Sequence, residues 1–360
     1  MAGWGSAARV VWSGMFLGGI VAVLVARGAQ DPLETPGLRG APRAAREPGR
    51  GRTATSPLGI PRRGWRDILV RTFKEFFSDR VLGLSAGVTF YTLLAVFPAL
   101  GAFISLYGLF FDPSHVQQQL DAASWVLPGG AIEVLREQTT RIVATGGSTL
   151  GFGFAVGLGT ALWSANAGTK AMIEALNIAY EEEERRSFLM RTAVSLIFTV
   201  AGILFAILAL ASVVALPVAT RLISLETGTE WLVSNVRWPL LALAIGFAIT
   251  VIYRYGPCRV RARWRWVSLG SVVAALLWLA VSAAFSWYVA NFGSYNETYG
   301  SLGAVMGFMT WIWLSVTVIL FGAELNAEIE HQTALDTTTG PPRPMGRRGA
   351  TMADTLGPAQ

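Results

Sequence analysis

Charge is what this sequence has least of. Only 14% of its 360 residues are Asp, Glu, Lys or Arg, against about 25% in a typical soluble domain, which points to lipid as the solvent for most of the chain. One cysteine, Cys258, excludes an intramolecular disulfide and a cysteine metal cluster. Two histidines, His115 and His331, stand too far apart in sequence to suggest a metal pair. Neither lies near a partner that would make a nucleophile and base, and neither paired carboxylates nor a metal cage is apparent. No enzyme, catalytic residue, metal or cofactor is therefore expected.

Hydrophobic residues, by contrast, make up 52% of the chain. Its longest organised stretch runs from Tyr295 to Glu328. The 23 residues from Ser301 to Ala323 carry no charge and would span about 34 Å as a helix, enough for a hydrocarbon core. Gly303, Gly307, Thr310, Leu314, Thr317, Phe321, Glu324 and Glu328 recur at steps of four and three, a stripe of small and polar groups expected to face other helices. Gly303, Gly307 and Thr310 are its expected helix-packing positions. Glu324 falls at the end of that stripe, at a membrane boundary.

Five other apolar spans precede this one, so the six fall at about 82–111, 149–169, 190–216, 238–254, 267–290 and 300–326. Lys and Arg in the flanking segments number six, two, four, two, five, none and three, which sums to 18 on one side and 4 on the other. That alternation is a positive-inside pattern and puts both ends of the six-helix core in the cytosol. It also accounts for the net charge of +6 without nucleic acid. The expected fold is an all-α polytopic membrane bundle of six core transmembrane helices plus an extra N-terminal one.

The N-terminal region is read in pieces. Val10 to Ala26 is apolar, with Arg9 before it and Arg27, Arg39, Arg43, Arg46, Arg50 and Arg52 after it. A transmembrane helix at 1–26 fits these flanks best, with a signal peptide or a peripheral leader as alternatives. Residues 27–61, rich in Pro, Gly, Ala and Arg, read as a disordered basic linker. Residues 62–332 are the membrane domain. Its first segment, 62–80, reads as an amphipathic helix on the inner leaflet, either a plain anchor or a reader of anionic lipid. An outer helical hairpin is expected at 112–148, and residues 333–360 as a disordered cytosolic tail.

No charge lies deep within the spans, so candidate sites fall at their ends. On the cytosolic side Asn166, Lys170, Glu174 and Asn177 share the second span with Glu324 and Asn326 at the end of the sixth. They line a common cavity on one reading; on the other, Lys170 snorkels with Glu174 beside it. The run Glu181 to Glu184 with Arg185 and Arg186 reads as a solvated helix end. On the outer side Asn291, Tyr295, Asn296, Glu297 and Tyr299 cluster around a turn, as a site or as an aromatic belt. Ser85, Thr89 and Thr92 form a hydroxyl stripe on the first span, for packing or for a polar path. Arg259, Arg261, Arg263 and Arg265 with Trp264 and Trp266 form a basic aromatic strip; topology already asks for basic residues there, so no nucleic-acid partner is expected.

Four pieces taken together carry a resemblance: AGVTFYTLLAVFPAL (86–100), LWSANAGTKAMIEALNIAYE (162–181), RYGP with RARWRW (254–266), and NETYGSLGAVMGFMTWIWLSVTVILFGAELNAE (296–328). In this order and spacing they resemble the YihY / virulence factor BrkB family, over roughly Trp65 to Gln332. The resemblance implies a six-helix bacterial inner-membrane protein linked to envelope integrity and serum resistance, without a settled activity. Members have carried a ribonuclease BN label, for which no supporting residues stand here. The expected function is the movement or handling of lipid or another amphipathic envelope substrate, with a non-transporting envelope scaffold as the alternative. Membrane lipids and envelope proteins are the expected partners, and a homo-oligomer is open.

Overall fold

The computed structural model describes residues 47–110, 147–222, 227–292 and 301–360. The N-terminal span, the outer hairpin and most of the outer polar turn lie outside them. The described residues are helical, without a β-strand. The helices are α1 (Arg62–Ser78), α2 (Val81–Phe110), α3 (Gly147–Ala179), α4 (Phe188–Leu222), α5 (Thr227–Tyr255), α6 (Trp264–Phe292), α7 (Ser301–His331) and the single turn α8 (Thr351–Asp354). Among the described residues, three segments are long and apolar enough to cross a membrane: Phe188–Ala209, Trp264–Val289 and Val305–His331.

Two compact units share the chain. The helical unit holds Glu75–Cys258 and Gly270–Glu324; the terminal unit holds, of the described residues, those up to Lys74 together with Arg259–Leu269 and Leu325–Gln360.

In the helical unit, apolar side chains cover both the interior and the outside. Ile197, Leu204 and Leu208 on α4 and Leu243 and Phe247 on α5 are exposed, as side chains turned to lipid would be. Without a hydrophobic drive between helices in lipid, close approach and buried hydrogen bonds hold them together. Gly322 of α7 supplies the close approach. A Cβ there would lie 2.5 Å from the Tyr253 hydroxyl, 2.6 Å from the Ala274 Cβ and 2.8 Å from the Gly270 carbonyl, so α5, α6 and α7 meet at this point. Tyr253 donates its hydroxyl hydrogen to the Ile319 carbonyl. Further along, Trp278 donates to the Ser315 hydroxyl at 3.0 Å and Trp311 to the Ser282 hydroxyl at 3.2 Å, pairing α6 with α7 twice. This differs from the expected packing stripe. Gly307 has open space where a Cβ would stand, and Thr310 is exposed with its hydroxyl on its own helix, at Met306; Gly303 is buried. The stripe was chosen by period alone, and period does not say which glycine meets a neighbour.

The terminal unit corrects a second expectation. Residues 47–61 and 333–360 are folded. Arg348 is fully buried and donates to the carbonyls of Ala334 (2.7 Å), Leu335 (3.2 Å), Arg343 (3.2 Å) and Ala353 (2.5 Å). Asp354 accepts the amide hydrogens of Gly346, Arg348 and Gly349, with both glycines at positive φ, which closes the turn without strain. Arg52, equally buried, donates to the carbonyls of Gln332 and Gly357. A guanidinium offers five fixed donors, so one buried arginine can replace much of an apolar core by satisfying carbonyls that have no secondary-structure partner. Composition counts such arginines as evidence of disorder, and that is why the expectation failed.

Half of the basic aromatic strip is spent internally, while Arg261, Trp264 and Arg265 are exposed. Arg259 is paired with Glu330 at 2.6 Å, both buried, and Glu330 also accepts from the Thr337 hydroxyl at 2.9 Å. Arg263 donates its side chain to the Thr338 carbonyl and its amide to Thr337, and Trp266 is buried.

Candidate functional site

Two sets of polar groups stand out among the described residues of the helical unit. The first is an uncharged seam across α2, α3 and α4. Ser85 and Thr89 are buried; the Thr89 hydroxyl donates to the Ser85 carbonyl at 2.7 Å and Thr92 to Val88 at 2.8 Å. Facing Thr92 is Gly168, whose missing Cβ would stand 3.3 Å from the Thr92 hydroxyl. Two residues earlier on α3, Asn166 is buried with no hydrogen-bond partner on its side-chain carbonyl oxygen. On the α4 side, the hydroxyls of Thr169 and Thr199 meet at 2.8 Å, and Thr199 also donates to the carbonyl of the buried Ser195. A buried acceptor left unmade costs about 1–3 kcal/mol. Asn166 thus stands ready for a donor, within an arrangement that has hydroxyls and an amide but no charge.

The second set is charged and lies where α1, α3 and α7 end or begin. Two non-glycine residues there have left-handed backbones, Arg80 (φ 52°) just past α1 and Glu181 (φ 51°) just past α3. At α3 the Glu182 amide reaches back to the Asn177 carbonyl at 2.8 Å and the Glu181 amide to Ile178 at 2.9 Å, the bond pattern of a helix end closed by a left-handed residue. Glu75 and Glu181 lie near enough to Asp79 to act on its charge. Glu324 is 1% exposed and hydrogen-bonds Asp79 through its side chain. Burial, with the neighbouring Glu75 and Glu181 carboxylates adding to it, pushes the Asp79 carboxyl up to about 6, against the hydrogen bond to Glu324, which acts to lower it. Burial and like charge thus favour the protonated form of Asp79. The sequence pointed to Glu324 but missed Asp79, which hides in the charged run Ser78-Asp79-Arg80 between two helices.

Virulence factor BrkB is the family description that matches residues 72–346. The chain belongs to that family. Of its relatives, the ribonuclease-like protein YfkH of Bacillus subtilis is 31% identical over 271 residues, covering 73% of this chain and 96% of YfkH. A UPF0761 membrane protein of Alkalilimnicola ehrlichii is 32% identical over 259 residues, 70% of this chain and 55% of the relative. A third, from Rhodospirillum centenum, is 26% identical over 273 residues, 74% of this chain and 58% of its own length. The chain therefore spans nearly all of the Bacillus relative but little more than half of these two UPF0761 proteins. No solved structure matches. Both polar sets lie inside the BrkB match; Arg52, Asp67 and Arg348 of the terminal unit lie outside it or at its far side.

Within this BrkB-family chain, the expected inner cluster is distributed over separate contacts. Lys170 stands over the Phe188 ring, 5.5 Å from its centroid, and Glu174 pairs with Arg191 at 3.0 Å; both tie α3 to α4. Asn177 is a brace. Its side-chain carbonyl accepts the Cys258 amide at 2.7 Å and its amide donates to Glu184 at 3.2 Å. Glu184 in turn receives Arg186 at 2.7 and 2.6 Å, and Arg186 also donates to the Gly256 carbonyl. Burial pushes the Glu184 carboxyl up, but the Arg186 hydrogen bonds outweigh it and hold it at about 2. The acidic run after α3 is therefore a built joint and not simply a solvated end. Asn326 belongs to the terminal unit, fully buried and donating to the Val267 carbonyl at 2.9 Å. Of the outer cluster, Tyr295, Asn296, Glu297 and Tyr299 lie outside the described residues, and Asn291 falls in the last turn of α6.

Proposed function

We propose that the protein moves or handles an amphipathic envelope substrate, a lipid or lipid-linked precursor, with no catalytic chemistry of its own. The observation that carries this is the set of uncharged groups on α2, α3 and α4: Ser85, Thr89, Asn166 and Thr199 are buried, Thr169 is half-buried against Thr199, and the Asn166 carbonyl oxygen is unmatched. Such a seam accepts a polar headgroup by hydrogen bonds while the tails stay in lipid, and it lacks the buried charge that a fixed ion site would have. The six long helices α2 to α7 are read as six spans, in a bacterial inner membrane, with both ends of the core in the cytosol on the arginine and lysine count.

Proteoliposomes with fluorescent lipid test the reading. Wild type should exchange lipid between leaflets faster than empty vesicles, and Asn166→Leu or Thr199→Val should slow it. Exchange no faster than in empty vesicles would overturn it. A second reading, an envelope scaffold that docks partners, draws support from the folded terminal unit, which a carrier alone does not need. In that case exchange is absent while deletion of residues 341–360 still impairs envelope integrity in cells.

A further inference from the structure

Helix α1 is inside-out for a helix that would face water. Its charged Asp67 and Arg71 are buried, at 1% and 3% exposure, while Leu69, Phe73 and Phe77 are 45%, 55% and 67% exposed. At 100° per residue the two sets take opposite sides. The inward side is spoken for within the terminal unit. Arg50 grips both oxygens of Asp67 at 2.7 and 2.6 Å, Arg71 is bonded to Glu328 and, at 2.8 Å, to Gln332, and the Arg50 carbonyl lies 2.3 Å from where a Gly64 Cβ would be. These bonds fix the helix's rotation, so the outward side is set by the fold and not by chance.

That outward side has two zones. Arg62, Arg63 and Arg66 are exposed at its N-terminal end, and the three large apolar side chains follow toward its C-terminal end. Only Asp79 and Arg80 then separate α1 from the apolar helix α2, so the apolar zone is the one nearest the start of a hydrophobic helix.

We propose that this face of α1 docks on an anionic lipid leaflet, with Arg62, Arg63 and Arg66 on headgroup phosphates and Leu69, Phe73 and Phe77 among the upper acyl chains. Charge complementarity selects the occupant: three exposed guanidinium side chains, without an acidic partner among the described residues, beside an apolar strip match a surface that is itself anionic outside and apolar within. A water-facing helix would not bury its carboxylate and expose its phenylalanines. The proposal needs only that the protein is in a membrane and is independent of lipid movement.

The full chain in vesicles tests it. Single cysteines Leu69→Cys and Phe73→Cys, in a Cys258→Ser background, carry a nitroxide whose collisions with oxygen and with a water-soluble nickel chelate are compared; Arg347→Cys, exposed in the terminal unit, is the aqueous control. The expected result is oxygen-dominated collision at both positions, deeper at 73 than at 69. Nickel-dominated collision like the control overturns the proposal, and shielding from both probes overturns it in favour of a protein partner or a second copy. Charge is tested by R62E/R63E/R66E. In phosphatidylglycerol vesicles nickel access at 69 should rise about fivefold or more, the bias of at least one surface arginine, and in phosphatidylcholine it should not. An unchanged or lipid-independent response overturns the anionic preference. An unchanged melting temperature in detergent shows that the triple variant is folded.

Discussion

Asp79 and Glu324, from opposite ends of the helical unit's sequence, are hydrogen-bonded to each other, and burial, with the nearby Glu75 and Glu181 carboxylates adding to it, raises the Asp79 carboxyl to about 6. The contact joins the end of α1 to α7 and makes protonation part of how this end of the unit is held. Because the folded value lies above the ordinary 3.8, the contribution of Asp79 to stability is complete below about pH 4 and is lost as pH rises through about 6.

Asp79→Asn should therefore stabilise the protein at pH 7.5 and leave it nearly unchanged at pH 4.5. The gain is about 1 kcal/mol, discounted from the full value of the raised carboxyl because Asp79 stays half exposed. Melting temperatures in detergent from pH 4.5 to 8 check it. Wild type and variant curves that run parallel would remove Asp79 as the source of the pH dependence.

Arg348 and its neighbour Arg347 make a matched pair for the terminal unit. Arg348 satisfies four carbonyls from a buried position, whereas Arg347 is exposed. Arg348→Ala should cost about 3 kcal/mol or more, since it leaves several buried acceptors unmade; Arg347→Ala should fall within about 0.5 kcal/mol of wild type. Hydrogen exchange over residues 334–356 reads the difference directly. Equal protection in the two variants would mean that Arg348 does not hold the tail.

The hydrophobic runs of the sequence fall on the helices α2 to α7, whose ends lie within about a dozen residues of them, and three of the described segments, Phe188–Ala209, Trp264–Val289 and Val305–His331, are long and apolar enough to cross a membrane. The terminal unit was illegible for the opposite reason: its order comes from Arg52 and Arg348 bonding to carbonyls far away in sequence, and a pattern of neighbours cannot register that. The candidate site was half legible. Glu324 and Asn166 stood out as polar groups in apolar runs. Asp79 did not, because it lies in a charged segment and its tie to Glu324 arises only in the folded chain.

The proposed orientation rests on the charge count and is open to a direct check. A reporter fused after Gly256 should read cytosolic, and one fused after Ser294 should read external. Reversal at either position would break the alternation of 18 basic residues against 4 on which six spans with cytosolic ends depend.

Two glycines on the same helix should respond oppositely to one methyl group. At Gly322 a Cβ would press on the Tyr253 hydroxyl at 2.5 Å, the Ala274 Cβ at 2.6 Å and the Gly270 carbonyl at 2.8 Å. The last of these is backbone and cannot rotate away, so Gly322→Ala should force α6 and α7 apart at a cost of about 1–3 kcal/mol. At Gly307 nothing lies within 4 Å. Gly307→Ala meets no neighbour and gains the better helix propensity of alanine, up to about 1 kcal/mol. Thermal unfolding of both variants in the same detergent decides the matter. If Gly307→Ala proves as harmful as Gly322→Ala, then the face carrying Gly307 is covered by another helix in the assembled protein.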